Sequence, residues 1–200
     1  MALLAVTLTV DVVCPFSYLG CSRLFEALVM EEITPAELVW SVEPATSHRM
    51  PVASAPNTLD LARGGARYGD PLVLERRVAQ LLGRPGVAVR SGVSSQRAHV
   101  LLTHAPDPDL LRSLFKAHFE EGRDVSSMGE LCEIAADHGI PGERVIELLE
   151  NPERVADVLL RAARYADLQT PRIRICGSSP FVGVQTVDAY RRALVHGRRA

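Results

Sequence analysis

No stretch of this 200-residue chain is apolar for long enough to cross a bilayer, which excludes a membrane-spanning helix. There is no basic excess either. The net charge is −2, and an electrostatic nucleic-acid partner is excluded with it. The opening Met1-Ala2-Leu3-Leu4 lacks the positively charged region that begins a signal peptide, and its apolar run leads directly into the first expected strand. A cytoplasmic protein is therefore expected. Cysteine is sparse: Cys14, Cys21, Cys132 and Cys176 are the whole complement, and no spacing among them matches a zinc site. In a reducing compartment they stay thiols, and no metal is expected. Internal repeats and low-complexity segments are absent too. What remains is an ordinary apolar content, and a length that suits one domain or one domain carrying a large insertion.

The most informative stretch is Cys14-Pro15-Phe16-Ser17. Before it, residues 3–13 read as a buried strand, with Thr7, Thr9 and Asp11 interleaved among apolar residues. After it come Tyr18-Leu19-Gly20 and an amphipathic run over 22–30, so a helix is expected from about Pro15 or Tyr18 to Val29. A cysteine at a strand-to-helix junction meets backbone N–H groups and the positive end of the helix dipole. Both stabilise a thiolate, so Cys14 is expected to ionise below the usual thiol value of roughly 8.5. Cys21, Cys132 and Cys176 read instead as small buried apolar residues.

A second strand is expected over 36–42. Strand, helix and strand at this spacing form a βαβ unit with parallel strands and a right-handed crossover. Residues 44–56 are a loop that leaves the sheet at the edge carrying Cys14, which makes His48 and Arg49 candidate pocket residues. From 58 to about 166 the pattern is helical, with segments at 59–68, 72–82, 94–104, 108–121, 126–138, 141–149 and 152–166. Ser94 or Ser95 is a candidate N-cap, and Gly122 and Gly139 are stop signals. Strands return at 171–175 and 180–184, and a last helix runs from Thr186 or Val187 to Val195. The expected class is α/β, in the order β-α-β, helices, β-β-α. Residues 1–56 and 167–200 form the core, and 57–166 an inserted helical subdomain.

Taken in order, these motifs resemble the DsbA family of thioredoxin-fold proteins, in particular its branch of FrnE-like oxidoreductases and 2-hydroxychromene-2-carboxylate isomerases. The resemblance spans nearly the whole chain. It rests at the front on Asp11-Val12-Val13-Cys14-Pro15-Phe16 and Tyr18-Leu19-Gly20. In the middle it rests on Ala98-His99 and on residues 114–124, which include Phe119-Glu120-Glu121-Gly122-Arg123-Asp124. At the end it rests on Thr170-Pro171 and Gly183-Val184-Gln185. It implies a thioredoxin-like fold with an inserted all-helical subdomain. It also implies that Cys14 is the nucleophile, and that Thr170-Pro171 is a cis bond whose flanking N–H and C=O are open to an extended ligand. His99 would face the active-site cleft, the alternative being a structural histidine. Three departures stand out. Ser17 takes the place of the second cysteine of Cys-x-x-Cys. Ser94-Ser95 stands where many relatives carry Asn-Thr. Arg172 and Arg174 occupy a strand that is usually apolar, and either reach an anionic group of the ligand or lie on a solvated face.

A mixed disulfide formed at Cys14 has no second thiol in the motif to resolve it, so efficient dithiol exchange is disfavoured. Cys21 takes that part only if geometry allows. A lone thiolate still adds reversibly to a carbonyl-activated alkene. The former double bond then rotates, and loss of sulfur restores the alkene with altered geometry. Ser17, His99 or the backbone at Thr170-Pro171 would stabilise the enolate. The substrate would contact Phe16, His48, Thr170, Pro171 and Arg172 in a cleft between core and helical subdomain. The expected function is a cis–trans isomerase without a cofactor. Some isomerase members of the family carry serine at the position of Cys14 and take glutathione as the thiol; here the chain supplies the sulfur. The resemblance to FrnE-like members implies, as substrate, a polyene acyl chain on an acidic carrier protein in polyketide biosynthesis. Arg49, Arg172 and Arg174 are its candidate docking residues. Two alternatives stand beside this reading: a monothiol oxidoreductase or thiol-transferase, and a non-catalytic binding protein. A homodimer is also open, since the helical block has apolar surface that suits core or interface.

Overall fold

The computed structural model describes residues 3–45, 80, 83, 92–165 and 168–199. The first half of the core is β1 (Leu4–Val10), α1 (Pro15–Met30), a 3-10 turn (Pro35–Glu37) and β2 (Leu38–Pro44). Among the described residues, the helices that follow are α2 (Gln96–His104), α3 (Pro108–Phe119), α4 (Met128–Ala136), α5 (Gly142–Glu150) and α6 (Pro152–Ala163). The chain then returns through β3 (Arg172–Ile175), β4 (Phe181–Val182) and α7 (Val187–Arg199). The sheet order is β2-β1-β3-β4, with β1 parallel to β2 and antiparallel to β3, and β3 antiparallel to β4. This is the expected α/β thioredoxin-like order with helices inserted after β2. The expected helix at 59–68, that at 72–82 apart from the helical Gln80, and the joins of the insertion at 56/57 and 166/167 lie outside the described residues. Among the described residues no helix is long and apolar enough to cross a membrane.

Register decides which face of the sheet is core. Val6 sits opposite Ile175 and Leu8 opposite Ile173, and all four side chains are buried. The alternate pairs, Thr7 with Arg174 and Thr9 with Arg172, face the other way. That second face is covered only in part. Ala5 is exposed and Thr7 half-buried, whereas Thr9 is buried, so β1 is enclosed on both sides only toward its C-terminal end. α7 packs on α1 and reaches β1 and β3, while α2 and α6 pack against β2.

Two of the inserted helices, α3 and α6, begin at side-chain caps, whereas α2, α4 and α5 have no side-chain cap bond. Asp107 accepts from the Asp109 N–H at 2.7 Å ahead of α3, and Asn151 accepts from the Glu153 and Arg154 N–H groups at 3.0 and 3.1 Å ahead of α6. Proline follows each cap at the first helical position, where no N–H is needed. The stretch Gly122-Arg123-Asp124 is a joint. Gly122 turns out of α3 with φ +70°, and Arg123 ion-pairs with Glu130 and, at 2.8 Å, with Glu133. Asp124 Oδ1 then accepts from the Ser126 N–H at 2.9 Å just ahead of α4.

Candidate active site

β1 ends at Val10, earlier than its apolar spacing predicts, and Asp11 is the reason. Asp11 Oδ1 accepts the Val13 N–H at 3.2 Å, and the Asp11 carbonyl accepts the Cys14 N–H at 3.0 Å. The Asp11 N–H donates to Ser17 Oγ at 3.2 Å. Such local bonds compete with a strand ladder, and here they turn Val12 and Val13 into a buried corner. Cys14 becomes the N-cap of α1, with φ −90° and ψ 118°, and Pro15 opens the helix.

Several groups stabilise a charged sulfur. Thr170 Oγ1 donates to Cys14 Sγ at 3.6 Å, and Ser17 directs both its backbone N–H and its hydroxyl toward it. They do not prevail. Cys14 is only 1% exposed, and its burial, reinforced by the Asp11 carboxylate, raises the thiol pKa above the ordinary value. The expected depressed pKa is thereby overturned. The helix end and the hydroxyls are in place, but desolvation and a neighbouring negative charge outweigh them. At neutral pH the resting sulfur is a thiol.

The structure gathers five of the expected residues, Cys14, Ser17, His99, Thr170 and Pro171, around Asp11 and the start of α1. Ser17 is fully buried and its hydroxyl is bonded into the Asp11–Cys14 turn, so it orients the sulfur from behind. His99, on α2, is also fully buried, with Nε2 3.6 Å from Asp11 Oδ1 and Nδ1 without a hydrogen-bond partner among the described residues. Thr170-Pro171 is a cis bond, as the resemblance implies, and the Pro171 carbonyl accepts the Gly183 N–H at 2.8 Å. Phe16 is half-buried against the core. Arg172 is half-buried next to Pro171, and Arg174 lies on the solvated side of β3. His48 and Arg49 lie outside the described residues.

Pro171 also explains Gly20. A Cβ at residue 20 would come within 2.5 Å of Pro171 Cγ, so α1 passes this loop only without a side chain there. Gly20→Ala is expected to cost about 1–3 kcal/mol despite alanine's better helix propensity, because the clash forces the Pro171 loop outward. Denaturant unfolding checks this, and a variant as stable as the parent would contradict it.

Cys21 is not a resolving thiol. Seven residues along a helix separate Cα atoms by about 10 Å, beyond the roughly 7 Å that a disulfide spans. Its pKa is pushed well up by burial and then by Cys14. Cys132 is half-buried, with Sγ 3.7 Å from the Gly142 carbonyl, in place of the full burial expected. Cys176 departs further. It is exposed, because it takes a left-handed φ of +48° in the turn after β3. Among the described residues no group of three or more His, Cys, Asp and Glu is placed to hold a metal ion.

Two features carry no role in the sequence reading. One is Asp11, the acid within the apolar run before Cys14. The other is Tyr18, one turn beyond Cys14, whose hydroxyl donates to Glu120 and whose ring stacks on Phe119 at 4.9 Å. Both stand inside the motifs that carry the resemblance, which was the available signal. A groove of about 790 Å³ starts at Tyr18 and runs between α1 and α3, past Phe25, Val29 and Phe115, with Arg112 and Lys116 on its rim. Cys14 itself does not line it.

The model of the DSBA-like thioredoxin domain matches residues 5–194. Among solved structures, a probable DsbA oxidoreductase from Streptomyces coelicolor is similar with a TM-score of 0.73 at 21% identity, over 98% of this chain and 90% of that one. A 2-hydroxychromene-2-carboxylate isomerase is similar with a TM-score of 0.66 at 18% identity, over 98% and 95%. The cytosolic disulfide reductase DsbM from Pseudomonas aeruginosa, solved also with GSH, is similar with a TM-score of 0.63 at 22% identity, over 98% of each chain. No curated protein sequence matches the chain. At these identities the structural likenesses speak for the fold alone, whereas the domain match runs across almost all of the sequence. This chain belongs to the family of DSBA-like thioredoxin-domain proteins.

Proposed function

We propose that this protein is a cis–trans isomerase that uses Cys14 as a lone nucleophile on a carbonyl-activated alkene. The observation that carries the reading is the fourth position of the motif. A second thiol is replaced by Ser17, whose buried hydroxyl is built into the turn, and Cys21 is out of reach of Cys14. Sulfur chemistry that ends where it began, without a disulfide, suits such a site.

In the step proposed, the Cys14 thiol ionises with its proton passing to solvent, and the resulting thiolate bonds to the β-carbon. The alkene electrons move onto the carbonyl oxygen as an enolate. Rotation follows about what is now a single bond. The enolate then collapses, the C–S bond breaks, and the sulfur recovers its proton. Nothing is oxidised or reduced, and no cofactor enters. The Thr170-Pro171 backbone is the proposed enolate and carbonyl contact, and Phe16 and Arg172 are proposed to border the substrate. An acyl chain tethered to a carrier protein is the proposed substrate form.

The raised thiol pKa sets an expected pH dependence. The reactive species is the thiolate, so a raised pKa lowers its fraction at a given pH. The rate should rise about tenfold per pH unit through the neutral range and level off only above the usual thiol value of roughly 8.5. A pH–rate profile checks this, and a plateau already reached at neutral pH would contradict it.

A second reading is a monothiol reductase or thiol-transferase, favoured by the likeness to the disulfide reductase solved with GSH. One preparation separates the two. Without added thiol, an isomerase alters the geometry of a conjugated enoyl thioester; with glutathione supplied as the reductant, it does not catalyse reduction of a glutathione mixed disulfide. The opposite pair of results moves the function to the second reading. Inactivity on both leaves a binding protein.

A further inference from the structure

Asp11 is 1% exposed, and the proposed reaction assigns it no part. It nevertheless sits at the centre of the site. Its side chain holds the Val13 N–H, its carbonyl holds the Cys14 N–H, and its N–H is bonded to Ser17. On its far side is the fully buried imidazole of His99, whose Nε2 is 3.6 Å from Oδ1, an electrostatic contact rather than a hydrogen bond. Among the described residues, the groups seen to act on the sulfur are Asp11, Ser17 and Thr170, and Cys14 in turn acts on Cys21.

We propose that Asp11 is a positioning residue for Cys14: its carboxylate builds the turn that carries the sulfur, and its buried charge restrains the sulfur's reactivity. A lone thiol needs such restraint. With no resolving partner, any encounter with a stray disulfide or oxidant ends in a dead-end adduct, and such encounters require the thiolate. Burial limits access, and the Asp11 charge limits ionisation. The need for restraint rests on the isomerase reading, since a thiol-transferase works through the same mixed disulfides, whereas the ionisation of Cys14 is read without any isomerase substrate.

The test is Asp11→Asn, which keeps an oxygen acceptor for the Val13 N–H and removes the charge. Alkylation of Cys14 by iodoacetamide is followed across pH, mapped by peptide mass spectrometry and normalised to its own alkaline plateau, so that changes in access cancel. The expected result is a profile displaced to lower pH, with modification at neutral pH roughly tenfold faster than in the parent. A profile that coincides with the parent's, or lies at higher pH, overturns the inference. If Asp11→Asn does not fold, Asp11→Ser serves instead, since its hydroxyl oxygen also accepts from an N–H two residues on.

Discussion

Cys14→Ser is expected to lose isomerase activity by about a thousandfold or more, the scale seen when a covalent nucleophile is removed. The fold should survive the change. Cys14 takes part in no disulfide, and serine is a good N-cap in the extended conformation that residue 14 adopts. What disappears is a nucleophile that can ionise. A buried hydroxyl beside Asp11 has no prospect of forming an alkoxide. The result is sharpened by glutathione. If the external thiol restores turnover to Cys14→Ser, the site works by sulfur addition and the side chain only supplies the sulfur. If Cys14→Ser matches the parent without any thiol, the proposed chemistry is wrong.

Phe119→Ala is expected to destabilise the protein by about 3–5 kcal/mol. Phe119 is fully buried at the end of α3, with Tyr18 stacked on it at 4.9 Å and 4° and the His118 ring edge-on at 4.6 Å. Truncation leaves a cavity where the inserted helices meet α1, and the surrounding rings cannot all close over it. The effect should reach the active site as well, because the Tyr18 N–H donates to the Cys14 carbonyl at 3.0 Å. Denaturant unfolding gives the free energy. A loss below about 1 kcal/mol would mean that this aromatic contact does not join core and insertion.

Much of the architecture was legible because it is written in periodicity and caps. The strands and the described helices stand close to where apolar spacing, proline and glycine place them, and the parallel pairing of β1 with β2 follows from the length of the connection. Val12 and Val13 carry strand propensity, but the Asp11 carboxylate pulls their backbone into a turn, and a propensity argument does not see a side chain bonding to its own loop. The ionisation of Cys14 departs from the local expectation for a similar reason. The helix end is a local feature, visible in the sequence. The burial that opposes it comes from tertiary packing, which local sequence does not show; Thr170, 156 residues away, adds a hydrogen bond that favours the charged form and does not prevail. Cys176 follows the same lesson. Its neighbour Ile175 is core, yet Cys176 takes a left-handed turn conformation and is exposed, with its sulfur beside Gly197 of α7.

The most direct test of the lone-nucleophile mechanism is to observe the bond it requires. The parent protein is mixed with a conjugated enoyl thioester, without added thiol, and sampled during turnover by intact-mass spectrometry and peptide mapping. Chromatography follows the alkene geometry in the same samples. The expected result is a transient species that gains the whole mass of the substrate, mapped to Cys14, and that fades as the rearranged alkene appears. Rearranged product formed while Cys14 stays unmodified throughout, or a Cys14 that accumulates only mixed disulfide, would contradict it.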